Sequence, residues 1–427
     1  RFTMNSEKIV QYIQKHCIAD DWTLNITKDD SHETRFAQNV ITQHIAGAMK
    51  EISLSVSFGS KAGSCTVNQD DEESLAYLVK TAEEIAKLAP EDPEFVPSAG
   101  KMDIPEIANC DPQTKSLEPK QLVDIVQNSI NRAKTYGATV SGLTEKHIET
   151  NGLFTKNGFA GEYEKSDFGH SLTLKKDEVE TKVAYEAKEY AAFNLETLLE
   201  KLFTQAATLA VKQTFEPQKI AVLLRPLALQ ELFWFMGWMM DRRYADEGIT
   251  PFTDQIGKPF FGEKFSWFST CKQPTLLAPP FTSDGIIAEE IPWVEKGILK
   301  NLSTSRYWAK KMGSKPSVNY NMFIPGEGYT EEEMLPMVPR GLIINSFWYI
   351  RSVDIKAGEF TGTTRDGVWY FEDGKIKYAI NNLRFNEIPH TATKRIIATG
   401  SSELANPISL LPAMLIDNFN FVDKTSF

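Results

Sequence analysis

One carboxylate in this sequence stands inside an apolar stretch that offers no metal ligands around it. The stretch Leu229–Phe235 reads Leu-Gln-Glu-Leu-Phe-Trp-Phe, and its polar members are Gln230 and Glu231. Catalytic zinc needs about three protein ligands drawn from His, Cys, Asp and Glu, plus an open position for water. Phe235 has no donor atom and Gln230 is a poor ligand. Either the two polar side chains meet backbone groups, or Glu231 keeps a role in a cleft.

The surrounding residues predict the elements that position this carboxylate. Lys219–Arg225 is a short apolar run typical of a buried strand, and Pro226 suits the first position of a helix. Apolar residues cover nearly every face of the helix, which should run from Pro226 to about Met240. Such a helix is predicted to be buried inside the protein.

The order of strand, proline and apolar helix, with the motifs downstream, resembles the C-terminal region of the TldD/PmbA family. Members of this family of zinc metalloproteases also carry the label of DNA gyrase modulators. In its TldD-type subunit the helix reads His-Glu-x-x-x-His, and a cysteine near the C-terminus completes the zinc site. By resemblance the first His falls on Gln230, the Glu on Glu231 and the second His on Phe235. The segment Ala398–Leu404, roughly where that cysteine would lie, contains none.

The loss of all three ligand positions implies the PmbA-type (TldE) subunit rather than the catalytic one. We therefore expect no metal and no cofactor in this chain, and zinc only in a TldD-type partner. The resemblance further implies a dimer, with that partner or with itself, that acts on unfolded peptides or peptide precursors. Two alternatives stay open: a homodimer that binds peptides without cleaving them, and a hydrolase whose site is built on Glu231 and unrecognised ligands.

Glycine-bearing motifs after the helix add to the resemblance and supply candidates for a peptide cleft. They occur in the family's order at Pro280–Gly285, Val294–Leu299, Gly341–Ile344, Gly358–Gly362 and Asp366–Trp369. An ordinary explanation of each glycine is turn geometry. A functional hypothesis is that two of these motifs border a cleft that accepts an extended peptide by strand addition. Its candidate residues are Asp284, Gly285, Gly358, Thr361, Gly362 and Arg365, the last of which could meet a carboxylate or be simply solvated.

Histidines and cysteines indicate no second metal centre by their spacing. No two of the six histidines share a helical i, i+4 face, and Phe36 stands where a second His would follow His32-Glu33. The four cysteines are scattered without paired spacing, so we expect reduced thiols. Trp234, Trp238, Trp348 and Trp369 lie in apolar segments and are predicted to be core or interface residues rather than a stacking platform.

Composition narrows the class of protein. The chain has 427 residues, of which 42% are hydrophobic, and a formal net charge of -11. This acidity argues against direct nucleic-acid binding, which depends on clustered Lys and Arg. No stretch of about 20 apolar residues is present to span a bilayer, and Arg1–Met4 is not a secretory signal. A cytoplasmic protein without membrane contact is expected.

The pattern along the chain predicts an α+β fold. An N-terminal α+β domain should cover residues 1–90, and residues 91–112, with the proline-rich Pro90–Pro97, should form a linker. A middle α+β domain should follow at 113–216, and a large mixed β-rich domain at 217–427 with the buried helix 226–240. In both smaller domains helices should pack on antiparallel strands. The finer expectations are strands at Trp22–Lys28, Thr34–Ile45, Lys50–Phe58 and Ser64–Val67, a turn at Gly59–Gly63, and helices at Ser6–Ile18, Glu72–Leu88, Glu118–Tyr136 and Leu195–Lys212.

Overall fold

A computed structural model describes residues 6–425 of the chain. The expectation about Arg1–Met4 lies outside these described residues. The first sheet has six antiparallel strands in the order β3-β2-β1-β4-β5-β6. Its strands are β1 (Asp21–Ala37), β2 (Val40–Phe58), β3 (Lys61–Val67), β4 (Thr139–Thr155), β5 (Ala160–Lys176) and β6 (Val179–Ala187).

Two groups of helices cover one face of this sheet. The buried side chains of β1 all lie at even-numbered positions, so they all point to that face. Leu24 and Ile26 pack under the first group, and Phe36 packs under the second. The first group is α1 (Ser6–His16) and α2 (Glu72–Leu88); the second is α4 (Pro119–Tyr136) and α5 (Leu195–Thr208), with the short α3 (Pro112–Ser116) preceding it. The opposite face of the sheet is polar along β1 and β4.

The first sheet extends across the boundary between the two smaller predicted domains. Strand β1 pairs with β4 from Thr23 to Phe36, so strands from before and after residues 91–112 form one layer. The segment 91–112 is fixed along its length: the Asp92 N–H donates to the Ser60 carbonyl and Gly100 bridges to Gly158. Further on, the Asn109 side chain bonds the Ala278 backbone. This segment is an ordered strap.

The predicted strand at Thr34–Ile45 and the predicted turn at Gly59–Gly63 differ from the structure. The run Thr34–Ile45 was expected to be one strand, but a two-residue turn at Gln38 and Asn39 divides it, with φ of 49° and 63°. Asn is among the residues that most readily adopt such angles. The Asn39 side chain also holds the turn to β4, because it donates to the Ala138 carbonyl and accepts from the Val140 N–H.

Gly63 lies inside strand β3 and is not part of the turn, which is confined to Gly59 and Ser60. A Cβ atom on Gly63 would lie 2.3 Å from the Ala86 nitrogen of α2. Glycine is therefore required there because the helix backbone approaches the strand closely. The predicted helix Leu195–Lys212 also ends earlier, at Thr208, and Lys212–Gln213 is a short strand, β7.

The C-terminal region contains two further sheets. One has six strands in the order β11-β10-β9-β12-β19-β18; the other has eight, and the pairing of β13 with β14 closes a ring that also includes β8, β20 and β16. The remaining strands are β8 (Lys219–Leu224), β9 (Trp267–Ser269), β10 (Ile291–Glu295), β11 (Ile298–Leu299), β12 (Met322–Phe323), β13 (Arg340–Asp354), β14 (Glu359–Glu372), β15 (Lys375–Ile380), β16 (Leu383–Glu387), β17 (Ile396–Thr399), β18 (Glu403–Asn406), β19 (Ser409–Leu411) and β20 (Met414–Lys424). The helices are α6 (Pro226–Met239), α7 (Arg242–Asp246), α8 (Arg306–Met312), α9 (Glu331–Met334) and α10 (Pro389–Ala392), with 3-10 turns at Leu335–Met337 and Thr393–Arg395.

Helix α6 lies between these two sheets, in the largest apolar cluster of the protein. Its Leu232 and Phe233 share that cluster with Trp267 of β9 and with Leu342 of β13. The predicted α+β fold with a β-rich C-terminal region is confirmed. Within residues 6–425, no helix has the length and apolar character needed to cross a membrane.

Candidate functional site

Helix α6 carries Glu231 into the interior from the end of a buried strand. Strand β8 is paired on both sides, by β13 and by β20, and its residues after Lys219 are buried. Arg225 is extended, with φ of −74° and ψ of 160°, and Pro226 then starts the helix. The missing N–H of proline costs nothing at that position, because the first N–H groups of a helix have no intrahelical partner.

Arg225 fixes the start of α6 through several polar contacts. Its guanidinium donates to both carboxylate oxygens of Glu331, at 2.9 and 3.1 Å, and to the Asn345 and Gln205 side-chain oxygens, each at 3.3 Å. The same group lies 4.7 Å from the centre of the Trp369 ring. Because Gln205 belongs to α5, these bonds join the middle segment to the C-terminal sheets at the beginning of the candidate helix.

Glu231 is half-buried among charged side chains from two parts of the chain. Burial raises the pKa of Glu231, the positive charges of Lys182 and Arg365 oppose that rise, and the charge of Asp366 adds to it. Neither Gln230 nor Glu231 makes a side-chain hydrogen bond to any residue between 6 and 425. The two polar residues of α6 are therefore half-buried and are not tied to backbone groups.

Phe235 fills the position that the family resemblance assigns to the second histidine. It is half-buried against the main apolar cluster, and its ring lies 6.1 Å from that of Phe360 on β14. Strand β18 contacts α6, and its first residue Glu403 and the preceding Ser401 and Ser402 include no Cys or His. In the described part of the chain no group of three His, Cys, Asp or Glu converges at α6. The residues at this helix do not fit a zinc ion.

The predicted cleft residues fall in two separate places. Thr361, Gly362 and Arg365 lie on β14, where Arg365 is exposed and its guanidinium lies 4.5 Å over the Trp348 ring. Arg365 thus shares the surroundings of Glu231. The turn at Asp284 and Gly285 packs elsewhere, since a Cβ on Gly285 would lie 2.4 Å from that of Ala99.

The glycines among these candidates have packing roles. Gly358 has φ of 74° in the turn before β14, and a Cβ there would lie 3.2 Å from the His390 ring. A Cβ on Gly362 would lie 2.8 Å from the ring of Phe385. The distance at Gly362 leaves no room for a side chain, and at Gly358 the positive φ disfavours one. Gly358 therefore has the geometry of a turn, whereas Gly362 lies inside β14 and is packed against Phe385.

A cleft of about 740 Å³ lies beside Arg365. One wall is the turn between β5 and β6 at 175–180, and the other is formed by β14, β15 and Trp348. Arg365 and Asp366, the charged neighbours of Glu231, both line it. Sequence reasoning missed Lys182 and Asp366, because nothing in their spacing links a hairpin of the first sheet to the C-terminal strands.

Comparison with known proteins agrees with this architecture. Residues 217–423 match the family described as the PmbA/TldA metallopeptidase C-terminal domain. The metalloprotease PmbA of Escherichia coli O157:H7 is 26% identical over 176 residues, which cover 38% of this chain and 38% of that protein.

Solved structures share the fold of nearly the whole chain. TldE from Thermococcus kodakarensis superposes with a TM-score of 0.89 at 16% identity, covering 98% of this chain and 99% of that one. A protein from Thermotoga maritima named as a candidate modulator of a DNA gyrase gives a TM-score of 0.86 at 15% identity, again covering 98% of this chain and 99% of that one. The fold is that of a PmbA/TldE-type protein. The C-terminal region of the chain, residues 217–423, belongs to the TldD/PmbA family.

Proposed function

We propose that this chain is a non-catalytic subunit of a TldD/PmbA-family metalloprotease and works with a zinc-bearing partner. The observation that carries the proposal is the side chain of Phe235, which packs on Phe360 where a zinc ligand would have to stand. Without zinc the helix cannot lower the pKa of a bound water or polarise a peptide carbonyl. A lone carboxylate such as Glu231 does not replace those effects, which are together worth several kcal/mol of barrier.

A partner is supported by exposed aromatic side chains on neighbouring elements. Trp234 and Trp238 of α6 are 52% and 71% exposed, and Trp348 and Tyr349 of β13 are 44% and 59% exposed. Helix α6 contacts β13 directly. Exposed aromatic groups on adjacent elements are typical of protein interfaces, and a stable one buries more than about 1,000 Å².

The cleft beside Arg365 is the part of this chain that we assign to peptide binding. Its volume of about 740 Å³ is in the range of ligand pockets, and Arg365 makes no salt bridge with any residue from 6 to 425. A guanidinium held over an indole ring can donate two parallel hydrogen bonds to a peptide carboxylate. The zinc-bearing partner would then carry out the hydrolysis of the bound peptide.

The test is peptide hydrolysis by the chain alone and by the chain reconstituted with the subunit that co-purifies from its native cell. We expect no cleavage by the chain alone, cleavage by the pair, and nearly unchanged activity of the pair when Glu231→Gln is introduced. Chelator-sensitive hydrolysis by the chain alone, abolished by Glu231→Gln, would overturn the proposal and favour a hydrolase built on this helix.

A further inference from the structure

The polar face of the first sheet gathers carboxylates around one histidine. Glu33 of β1 pairs directly opposite Glu145 of β4, and His147 follows two residues later on the same face of β4. Asp167 of β5 lies opposite His147. Within residues 6–425, Glu33, Glu145 and His147 form the one group of three His, Cys, Asp or Glu side chains whose ligand atoms converge, all within 4.8 Å of one another.

The distances within this group are those of ligands around a single ion. His147 Nε2 is hydrogen-bonded to Oε2 of Glu145 at 3.2 Å, a contact that a bound ion would replace, and lies 3.9 Å from Oε1 of Glu33. Two ligands at about 2.1 Å from a metal are about 3.0 Å apart at a right angle and about 3.4 Å apart in a tetrahedron. The three atoms can therefore coordinate one ion after side-chain shifts of less than about an ångström.

The other ring nitrogen of His147 faces a carboxylate, as metal-bound histidines usually do. Asp29 Oδ1 lies 3.6 Å from His147 Nδ1, is buried, and has no hydrogen-bond partner. A small closing movement would let Nδ1–H donate to Asp29 and direct Nε2 towards Glu33 and Glu145. That bond would involve none of the three converging atoms and would orient the imidazole for coordination.

The nearby side chains of Arg35 and Lys165 do not occupy the atoms of Glu33, Glu145 and His147 that converge. Arg35 lies 3.1 Å from Oε2 of Glu33, and so leaves Oε1 of that residue to face the histidine. Lys165 pairs with Glu149 at 3.0 Å. His147 and Glu145 also line a cavity of about 280 Å³, bounded on one side by Leu277 of the C-terminal region. That space is large enough for water molecules to complete a coordination shell.

We propose that Glu33, Glu145 and His147 bind one divalent transition-metal ion, with Asp29 orienting the histidine. One imidazole and two carboxylates suit Mn²⁺ or Zn²⁺ better than Mg²⁺, which keeps an all-oxygen shell. The site departs from the expectation that this chain holds no metal, and it is separate from α6. It does not rest on the proposed function.

The test is calorimetric titration of the chelator-treated full-length chain with MnCl₂, ZnCl₂ and MgCl₂ at neutral pH. We expect one Mn²⁺ or Zn²⁺ per chain and markedly weaker binding of Mg²⁺. His147→Gln and Glu145→Gln should each weaken binding at least tenfold, and Asp29→Asn about tenfold. The matched control is His32→Gln, because His32 lies on the opposite face of β1, 3.6 Å from Asp30.

Electron paramagnetic resonance of bound Mn²⁺ gives a second readout that does not depend on binding heat. The spectrum should show an immobilised ion in the parent chain and in His32→Gln, and a free ion in a His147→Gln chain whose circular dichroism is unchanged. The absence of saturable binding below millimolar metal would overturn the proposal. So would binding that is unchanged in both His147→Gln and Glu145→Gln.

Discussion

At the scale of single residues, Arg225 has the contacts on which the position of the candidate helix depends. It is 18% exposed and forms an ion pair with Glu331, which is 30% exposed. Its bonds to Asn345 and Gln205 would be lost together if the side chain were removed. Removing the partner of a partly buried carboxylate lowers the free energy of unfolding more than removing the partner of an exposed carboxylate.

We predict that Arg225→Met lowers the free energy of unfolding by about 2–4 kcal/mol. The reason is that Glu331 and the Asn345 and Gln205 oxygens would lose charged donors in a partly buried setting. Chemical denaturation monitored by circular dichroism measures the change. Arg384→Met removes an exposed pair with Asp423 and should cost less than about 1 kcal/mol. Equal losses in the two variants would contradict this account of Arg225.

The sequence predicted which candidate residues lie on the same helix. It did not predict which residues from other helices and strands lie next to them. It placed Gln230, Glu231 and Phe235 on one helix, because an apolar run after a strand and a proline predicts that helix. It could not bring Lys182 or Asp366 to Glu231. It also passed over Glu145 and His147, although residues two apart in a strand share a face. The ligand that faces them, Glu33, comes from a strand more than a hundred residues away.

At the scale of elements, α6 is buried on most of its surface and exposed along one strip. Leu229, Leu232 and Met236 are buried, whereas Trp238 is exposed. The sequence predicted a buried helix and left Trp234 and Trp238 open between core and interface, because an apolar surface strip has the same composition as an apolar core. Exposed tryptophan side chains are typical of surfaces that another protein covers.

We expect Trp238→Glu to weaken self-association or partner binding at least tenfold, because a charge would have to be desolvated in an apolar interface. Light scattering, and co-purification with the native partner, report the effect. Leu88→Glu is the matched control, since Leu88 is also highly exposed, at 88%, but lies at the end of α2. A dimer that tolerates Trp238→Glu as well as Leu88→Glu would place the interface elsewhere.

At the scale of the whole molecule, two buried histidines couple stability to pH. Burial lowers the pKa of His170 to about 3 and that of His390 to about 4. In the unfolded chain both should titrate near 6.5. The folded protein thus excludes protons that the unfolded chain binds, and the resulting stability is complete above about pH 6.5 and is lost as the pH falls towards 4. Asp167 acts in the opposite sense, because burial and nearby Glu186 and Glu145 raise its pKa to about 7.

The difference between the parent chain and His390→Gln isolates one of these contributions. Between pH 6.5 and 4 the parent should lose up to about 1.4 kcal/mol per pH unit more than the variant. Denaturation midpoints measured across that range give the two slopes. His16→Gln, which changes an exposed histidine of α1, is the matched substitution control. Parallel curves for the parent and His390→Gln would show that His390 does not titrate differently on unfolding.

The first sheet is continuous across the strap at 91–112. The strands before and after the strap should therefore stay associated even if a peptide bond within the strap is cut. Strands β1 and β4 are held by a ladder from Thr23 to Phe36, and the strap at 91–112 adds only bonds at the strand ends, from Ser98 to Asp21 and from Thr155 to Ala99. A protease that nicks the strap would therefore produce two fragments that stay together in native buffer. The same cut could serve as a point for split-chain complementation or for new termini. Residues 91–112 cannot be the hinge of an opening motion between the two halves.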